Sequence, residues 1–384
     1  MGRILLFWLL VAAAANAVTP AADRPGKYLP LLKGKRVALV VNQTSMVGTT
    51  HLADFLLSKG VHVRKIFAPE HGFRGRADAG AQVKNGRDRE TDLPVISLYG
   101  KHKKPTKAML RGIDIILFDI QDVGVRFYTY LSTLHYVMEA AAKQHIPLIV
   151  LDRPNPNGHY IDGPVLQRKF RSFVGLDPVP VVYGMTIGEY ARMLNGEGWL
   201  KGGAKANLRV IKLQGYTHAM PYRLPIKPSP NLPSERAVAL YPSLALFEGT
   251  QFSVGRGTPT PFELYGAPGY TKKSFCFTPK PMPGATHPKH MGSCCYGVDL
   301  RDVPVTKVRS EKRLHLGYLI DAYRHYSDKK RFFSNGGTFF DKLAGSDQLR
   351  KQLAADWSEV QIRKSWQADL ERFWKIREKY LLYP

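Results

Sequence analysis

Cysteine is scarce in this chain: among 384 residues only Cys276, Cys294 and Cys295 occur. At most one disulfide can form, so the fold must rest on packed apolar cores and not on a covalent framework. Cys276 can pair with Cys294 or with Cys295, whereas a bridge between the neighbours 294 and 295 is sterically awkward. Acidic residues are also few. The 31 Asp and Glu stand against 56 Lys and Arg, a formal net charge of +25. That excess points to contact with an anionic polymer, such as cell wall, lipid head groups or nucleic acid. The basic residues are dispersed, as in KHKKPTK (101–107) and RKFR (168–171). A basic, aromatic-interleaved helix of the nucleic-acid-binding kind is missing, so no nucleic-acid partner is expected.

Several chemistries are excluded by missing motifs. The turn after the first apolar run reads NQTSMVGTTH, with no GxGxxG to cradle a dinucleotide, so no cofactor is expected. A GxSxG elbow is absent, which removes the usual Ser-His-Asp hydrolase. There is no HExxH and no zinc-finger spacing of Cys and His, so no metal is expected. Low-complexity tracts are lacking, and 44% hydrophobic residues argue for well-packed cores.

One apolar run stands at the start. Arg3 precedes residues 4–14, and the small residues Ala15 and Ala17 flank Asn16. This pattern predicts a signal peptide over residues 1–17, cut after Ala17, and an exported protein, periplasmic or extracellular. No later stretch is long and apolar enough to cross a bilayer, so no stable membrane insertion is expected after cleavage.

The N-terminal half alternates short Val/Ile/Leu runs with helical segments. RVALVVN (36–42), VHVRKIFA (61–68), PVISLYG (94–100), DIILFDI (114–120) and PLIVLD (147–152) read as strands. HLADFLLSKG (51–60), PTKAMLRGI (105–113) and TYLSTLHYVMEAAAKQ (129–144) read as the intervening helices. Continuous apolar strands between helices predict an α/β fold, a doubly wound parallel Rossmann-like sheet covered on both faces. The Pro-, Asn- and Gly-rich LDRPNPNGHYIDGPVL (151–166) sets the expected boundary. A Rossmann-like catalytic domain is expected over 24–165, followed by a smaller α/β C-terminal substrate-binding domain over 166–384. In the second half, 186–200 reads as a helix, 207–214 as a strand, and 226–269 as a loop-built surface rich in Pro and Gly. The tail is helical again at 315–326 and 365–383, with Trp366, Phe373, Trp374 and Tyr380 expected in the core.

In such a sheet, ligands bind beyond the carboxyl ends of the strands. Four of those ends are dense in polar groups: 42–45 (NQTS), 69–72 (PEHG), 119–122 (DIQD) and 152–155 (DRPN). Carboxylates beside Arg, His, Tyr and Asn suit acid-base work on a sugar, where a carboxylic acid protonates the leaving oxygen. Glu70 is the proton-donor candidate, because Pro69 fixes its approach and His71 and Arg74 lie near enough in sequence to tune it. Asp119 or Asp122 is the expected carboxylate helper. Asp122 can instead cap the following helix and pair with Arg126, and Asp152 can form an ion pair with Arg153.

The strings VNQTS, APEHGFRG, LFDIQDVGVRFYTY, LDRPNPNG with IDGP, PSPNLP, LFEGT and SVGRGT with PF resemble, in that order, the NamZ-type (YbbC-like) exo-β-N-acetylmuramidases. The resemblance covers nearly all of the chain after residue 17. It implies an exported exo-glycosidase that removes β-linked N-acetylmuramic acid (MurNAc) from the non-reducing end of peptidoglycan fragments. Muropeptides or MurNAc-GlcNAc disaccharides are the implied partners. It also implies an active site between the two domains, with Glu70 as the acid/base. MurNAc carries a lactyl carboxylate, so a cation is expected in its pocket, with Arg74, Arg126, Arg153 and Arg256 as candidates. His71, Asn42, Asn155, Asn157 and Asn231 are candidates for the ring hydroxyls and acetamido group. Tyr128, Asp152 and Glu248 complete the expected substrate-binding set. The strings depart from the family pattern at Ser243, Gln251 and Gly269, which bears on substrate preference more than on reaction type. Oligomeric state is left open. A non-catalytic wall-binding protein and a periplasmic ester hydrolase are the rival readings.

Overall fold

The computed structural model describes residues 18–75, 78, 80 and 84–384. The expected signal peptide at 1–17 lies outside the described residues. The first strand, β1 (Val37–Val41), is buried along its whole length, and its alternate residues feed two different cores. Ala38 and Val40 join the large core, while Val37, Leu39 and Val41 join a second core with Leu52, Ala53 and Leu56 of helix α1 (Leu52–Ser58). An unbroken apolar strand is what a sheet covered on both faces requires.

β1 pairs in parallel with β2 (Val63–Ala68) on one side. The sheet continues through β3 (Gly86–Arg87), an antiparallel edge strand, and β4 (Pro94–Ser97). On the other side stand β5 (Ile115–Asp119), β6 (Leu148–Leu151) and β7 (Leu208–Ile211), all parallel. The order is β3-β4-β2-β1-β5-β6-β7. Without the β3 edge, the parallel strands run 3-2-1-4-5-6, the doubly wound Rossmann order, whose connections reverse direction between β1 and β5. Helices α2 (Tyr130–Lys143) and α3 (Ile187–Gly196) contribute Leu134, Val137, Met138, Tyr190 and Leu194 to the large core.

β7 and α3 come from residues beyond 165, so the large sheet takes its last strand from the second half of the sequence. That half adds a small antiparallel sheet of β8 (Leu264–Ala267), β9 (Cys276–Phe277) and β10 (Cys295–Asp299), with helices around it. Cys276 bonds to Cys294, and Cys295 is a buried free thiol. Neighbouring residues on an extended chain point to opposite sides, which separates the two thiols.

Three expectations fail for local reasons. Residues 105–113 form turns and no helix, bent by Leu110 N–H to Thr106 C=O at 3.1 Å and by Gly112 at φ 74°. Trp374 is 49% exposed, although Trp366 and Phe373 are buried. The stretch 226–269 contains a helix, α4 (Glu235–Leu244), capped by Ser234, whose hydroxyl accepts from Ala237 N–H at 3.0 Å. Pro242 sits inside α4 and cannot donate to the carbonyl four residues back, that of Val238. Asn157 Nδ2 donates to that orphaned carbonyl at 3.1 Å, so a side chain of the first half repairs a helix of the second.

Candidate active site

The crevice between β1 and β5 is where a doubly wound sheet ordinarily takes its ligand. Here its own side chains close it. Asn42 Oδ1 accepts from the Thr44 N–H at 3.0 Å and from the Thr44 hydroxyl at 2.6 Å. The Ser45 hydroxyl donates to the Asp119 carbonyl, and Thr44 Oγ1 accepts from the Gln121 N–H at 3.0 Å. Arg153 grips Asp119 in a bidentate pair along one guanidinium edge, Nε to Oδ1 at 2.5 Å and Nη2 to Oδ2 at 2.7 Å. Burial works against that guanidinium's charge, and Asp119 more than offsets it, holding Arg153 above its ordinary range.

Most of the expected site residues are occupied in the same way. Asp152 is fully buried and binds the start of α3, accepting from Gly188 N–H at 2.8 Å and the hydroxyls of Thr186 at 2.7 Å and Tyr383 at 2.6 Å. Burial pushes its carboxyl up to about 7 against those donors. It does not pair with Arg153 as an ion pair. Asn155 donates to Met185 C=O at 2.8 Å and accepts from Asn157 N–H at 2.8 Å. Asn157 also donates to Val123 C=O at 2.9 Å. Asn231 donates to Gly284 C=O at 2.8 Å. These amides hold loops together and do not line the pocket described below.

Asp122 is 3% exposed and bonded to the Tyr183 hydroxyl and to Gly124 N–H at 2.6 Å. Burial pushes its carboxyl up to about 6. The expected Asp122–Arg126 pair does not form. Arg126, 1% exposed, donates instead to the carbonyls of Pro164 and Val179, both at 2.8 Å, and of Leu343 at 2.7 Å. Burial without a facing carboxylate pulls its guanidinium down to about 9. Arg74 turns from the pocket to Asp88 at 2.8 Å and Glu90 at 3.0 Å. Asp119, Asp122, Arg74, Arg126 and Arg153 thus bond elsewhere, and none of them lines the pocket that holds Glu70.

What remains converges on a pocket of about 250 Å³ beyond the ends of β2 and β5. Glu70, His71, Tyr128, Glu248 and Arg256 line it, as does Phe127. Glu70 follows β2 by two residues, and the chain then turns sharply through His71 at φ 67°. A left-handed conformation at a non-glycine residue costs about 1–3 kcal/mol and collects at functional sites. The buried His71 ring contacts the Ser229 hydroxyl at 3.2 Å, which joins the β2 loop to the PSPNLP segment.

The Glu70 carboxylate is held by two donors. Oε2 accepts from the Thr129 hydroxyl at 2.6 Å, and Oε1 from the Gly80 N–H at 2.9 Å. The Tyr99 hydroxyl lies near it on the pocket wall, and burial together with that carboxylate pushes the Tyr99 hydroxyl up. Thr129 is the N-cap of the 14-residue helix α2. The Glu70 carboxylate thus meets the positive end of a helix dipole.

Across the pocket, Arg256 Nε donates to Glu248 Oε1 at 2.7 Å. Burial disfavours the guanidinium's charge, but Glu248, Tyr241 and Glu70 outweigh it and hold Arg256 above its ordinary range. Its Nη1 is buried and has no hydrogen-bond partner, an arrangement that costs free energy until a ligand supplies an acceptor. The walls are Phe127, Tyr128, Tyr130, Tyr241 and Phe262. Burial pushes the Tyr128, Tyr130 and Tyr241 hydroxyls upward, so the tyrosines stay neutral. The Tyr128 hydroxyl donates to Pro228 C=O at 2.7 Å, so this residue contributes ring surface. A half-buried carboxyl group facing a cation with a free donor, inside aromatic walls, can in its protonated form protonate a leaving oxygen, while the cation anchors an anionic substituent. Among the described residues no group of three or more His, Cys, Asp or Glu is placed to hold a metal ion.

Sequence reasoning missed Thr129, Tyr99, Tyr130 and Tyr241. Only Thr129 carried a signal, because a threonine just before a helical apolar pattern is a cap.

Comparison with known proteins identifies the family. The family model described as exo-beta-N-acetylmuramidase NamZ, N-terminal, matches residues 37–236, and the C-terminal model matches 239–383. The chain is 40% identical over 380 residues to the peptidoglycan beta-N-acetylmuramidase NamZ of Bacillus subtilis (strain 168), covering 93% of this chain and 89% of that one. A crystal structure of a DUF1343 family protein from Bacteroides fragilis NCTC 9343 superposes with a TM-score of 0.88 at 44% identity, covering 95% of this chain and 99% of that one. A second DUF1343 protein of the same organism gives 0.77 at 30% identity, covering 96% and 99%. With both family models matched in order across its length, this chain belongs to the NamZ exo-β-N-acetylmuramidase family.

Proposed function

We propose that this chain is an exo-acting glycoside hydrolase that releases β-linked MurNAc from the non-reducing end of peptidoglycan fragments. The observation that carries the reading is the pairing of Glu70 and Arg256 across one small pocket. Glu70 in its protonated form donates the proton to the glycosidic oxygen, and the Thr129 hydroxyl and Gly80 N–H fix the carboxyl in place for that transfer. Arg256 takes the lactyl carboxylate on its unpartnered Nη1, a charge-assisted bond that N-acetylglucosamine cannot make. Among the described residues, Glu248 is the other carboxylate on the pocket wall, and its bond to Arg256 holds that fork in position. About 250 Å³ is below the range of about 300–1,000 Å³ usual for drug-sized ligands, which suits one sugar ring at a chain end. Segment 1–17 is read as the export signal that brings the protein to this substrate.

Incubation of the protein from residue 18 onward with MurNAc-GlcNAc, followed by mass analysis, tests the reading. Free MurNAc is expected. An intact disaccharide, with an ester substrate cleaved instead, would overturn it.

A further inference from the structure

A second and larger recess, a groove of about 860 Å³, lies on the other side of the turn at residues 172–175. Its floor is acidic but internally neutralised. Glu139 is held by Lys104 and by His135 at 3.2 Å. Asp177 is held by His135 at 3.0 Å and by the Tyr190 hydroxyl at 2.8 Å, and Glu197 by Lys379 at 3.3 Å and the Tyr380 hydroxyl at 2.7 Å. The exposed cations Arg168, Arg171 and Lys201 on its lining face no carboxylate among the described residues, so the groove is net positive. Its wall carries the stacked rings of Tyr136 and Phe173, 6.2 Å apart and 11° from coplanar.

The groove adjoins the pocket at Phe173 and Val174. Tyr99, which lines the pocket with Glu70, packs its ring against that of Phe173 with centroids 5.7 Å apart, and Val174 lines the pocket while Phe173 lines the groove. A general acid must contact the oxygen of the leaving group, so the leaving chain departs on the side of Glu70. That is the side on which the groove lies.

We propose that this groove binds the reducing-side continuation of the substrate, a carboxylate-bearing N-acetylated glycan strand. The inference rests on the glycosidase reading above. Sugar faces pack along the Tyr136 side of the ring pair, since Lys103 already covers Phe173 at 4.8 Å from its centroid, and the carboxylates recurring along the strand meet Arg168, Arg171 and Lys201. The hydrolysed bond stays in the small pocket. The groove adds affinity for long chains and leaves the disaccharide unaffected.

The experiment compares kcat/KM for peptide-free MurNAc-GlcNAc with that for the corresponding hexasaccharide. It uses the wild-type chain, an Arg168→Ala/Arg171→Ala double variant and Lys201→Ala. The wild type is expected to favour the hexasaccharide by roughly tenfold at low salt, the sum of a few exposed charge contacts. The double variant should lose most of that preference while its disaccharide turnover and melting temperature stay at wild-type values, and high salt should mimic it. Equal kcat/KM for both lengths in the wild type overturns the inference, as does a length preference that survives both variants. A preference shown only by peptide-bearing fragments overturns it in favour of an acidic-peptide site. Disaccharide left intact by every protein sinks the glycosidase reading itself and is thereby distinguished from failure of the groove.

Discussion

Two regions of this molecule have nearly the same composition and opposite fates. The crevice between β1 and β5 collects Asp119, Asp152, Arg153 and Asn155, whose side chains bond to one another or to backbone, beside Asn42, whose Oδ1 is bonded and whose Nδ2 has no partner. The pocket beyond β2 collects Glu70, Glu248, Arg256 and His71, and there a guanidinium nitrogen is left without an acceptor. Polar density at strand ends marks both. What separates them is whether the hydrogen-bonding capacity of their charged groups is already occupied, because a buried charged group with an unpartnered nitrogen is costly and persists where a ligand completes it.

The comparison breaks most sharply at Glu70. Glu70→Gln keeps the size and loses the titratable proton, so turnover of a chromogenic β-N-acetylmuraminide should fall by about 10²–10⁴, with an unchanged melting temperature. Loss of stability with activity retained would reverse the assignment of the two regions. The crevice predicts the opposite pattern. Arg153→Met leaves Asp119 buried and uncompensated, which should destabilise the fold by about 3–5 kcal/mol in denaturant titrations. The fraction that remains folded should turn over normally.

A third measurement sharpens the view that buried ion networks away from the pocket serve the fold. Burial lowers the His135 imidazole, but Asp177 and Glu139 outweigh that and lift it to about 9. A pKa raised on folding stabilises fully below the unfolded value of about 6.5, and the contribution disappears as pH rises through about 9, an amount on the order of 3 kcal/mol. Melting temperature should therefore decline between about pH 7 and pH 10 more steeply in the wild type than in His135→Gln. Parallel declines would show that the network does not titrate as a stabilising unit.

The smallest effect concerns Arg256. Arg256→Met should weaken inhibition by free MurNAc about tenfold and leave that by N-acetylglucosamine unchanged. Equal weakening of both would move the lactyl contact elsewhere.

Much of the fold was legible in the chain. The runs at 36–42, 61–68, 114–120 and 147–152 are buried strands because continuous Val, Ile and Leu have no other stable place. Helix α4 was hidden by Pro242, since the residue that repairs the broken bond, Asn157, lies 81 positions away from the carbonyl it meets. Glu70 was legible for a local reason, as it follows a strand and a proline. Thr129, which orients it, is 59 positions distant.

Sequence alone determined the strands, the basic surface, the absence of a dinucleotide turn and the family strings around Glu70, because these depend on residue type and near neighbours. Tertiary structure decided which of four candidate arginines is available to a substrate. Arg126 reaches a carbonyl 217 positions away and Arg153 a carboxylate 34 away; Arg126 and Arg256 each keep one nitrogen unpartnered, but of the two only Arg256 lines the pocket. A side chain's chemistry is written in its own letter, but whether that chemistry is free to act depends on partners that only folding brings within about 3 Å.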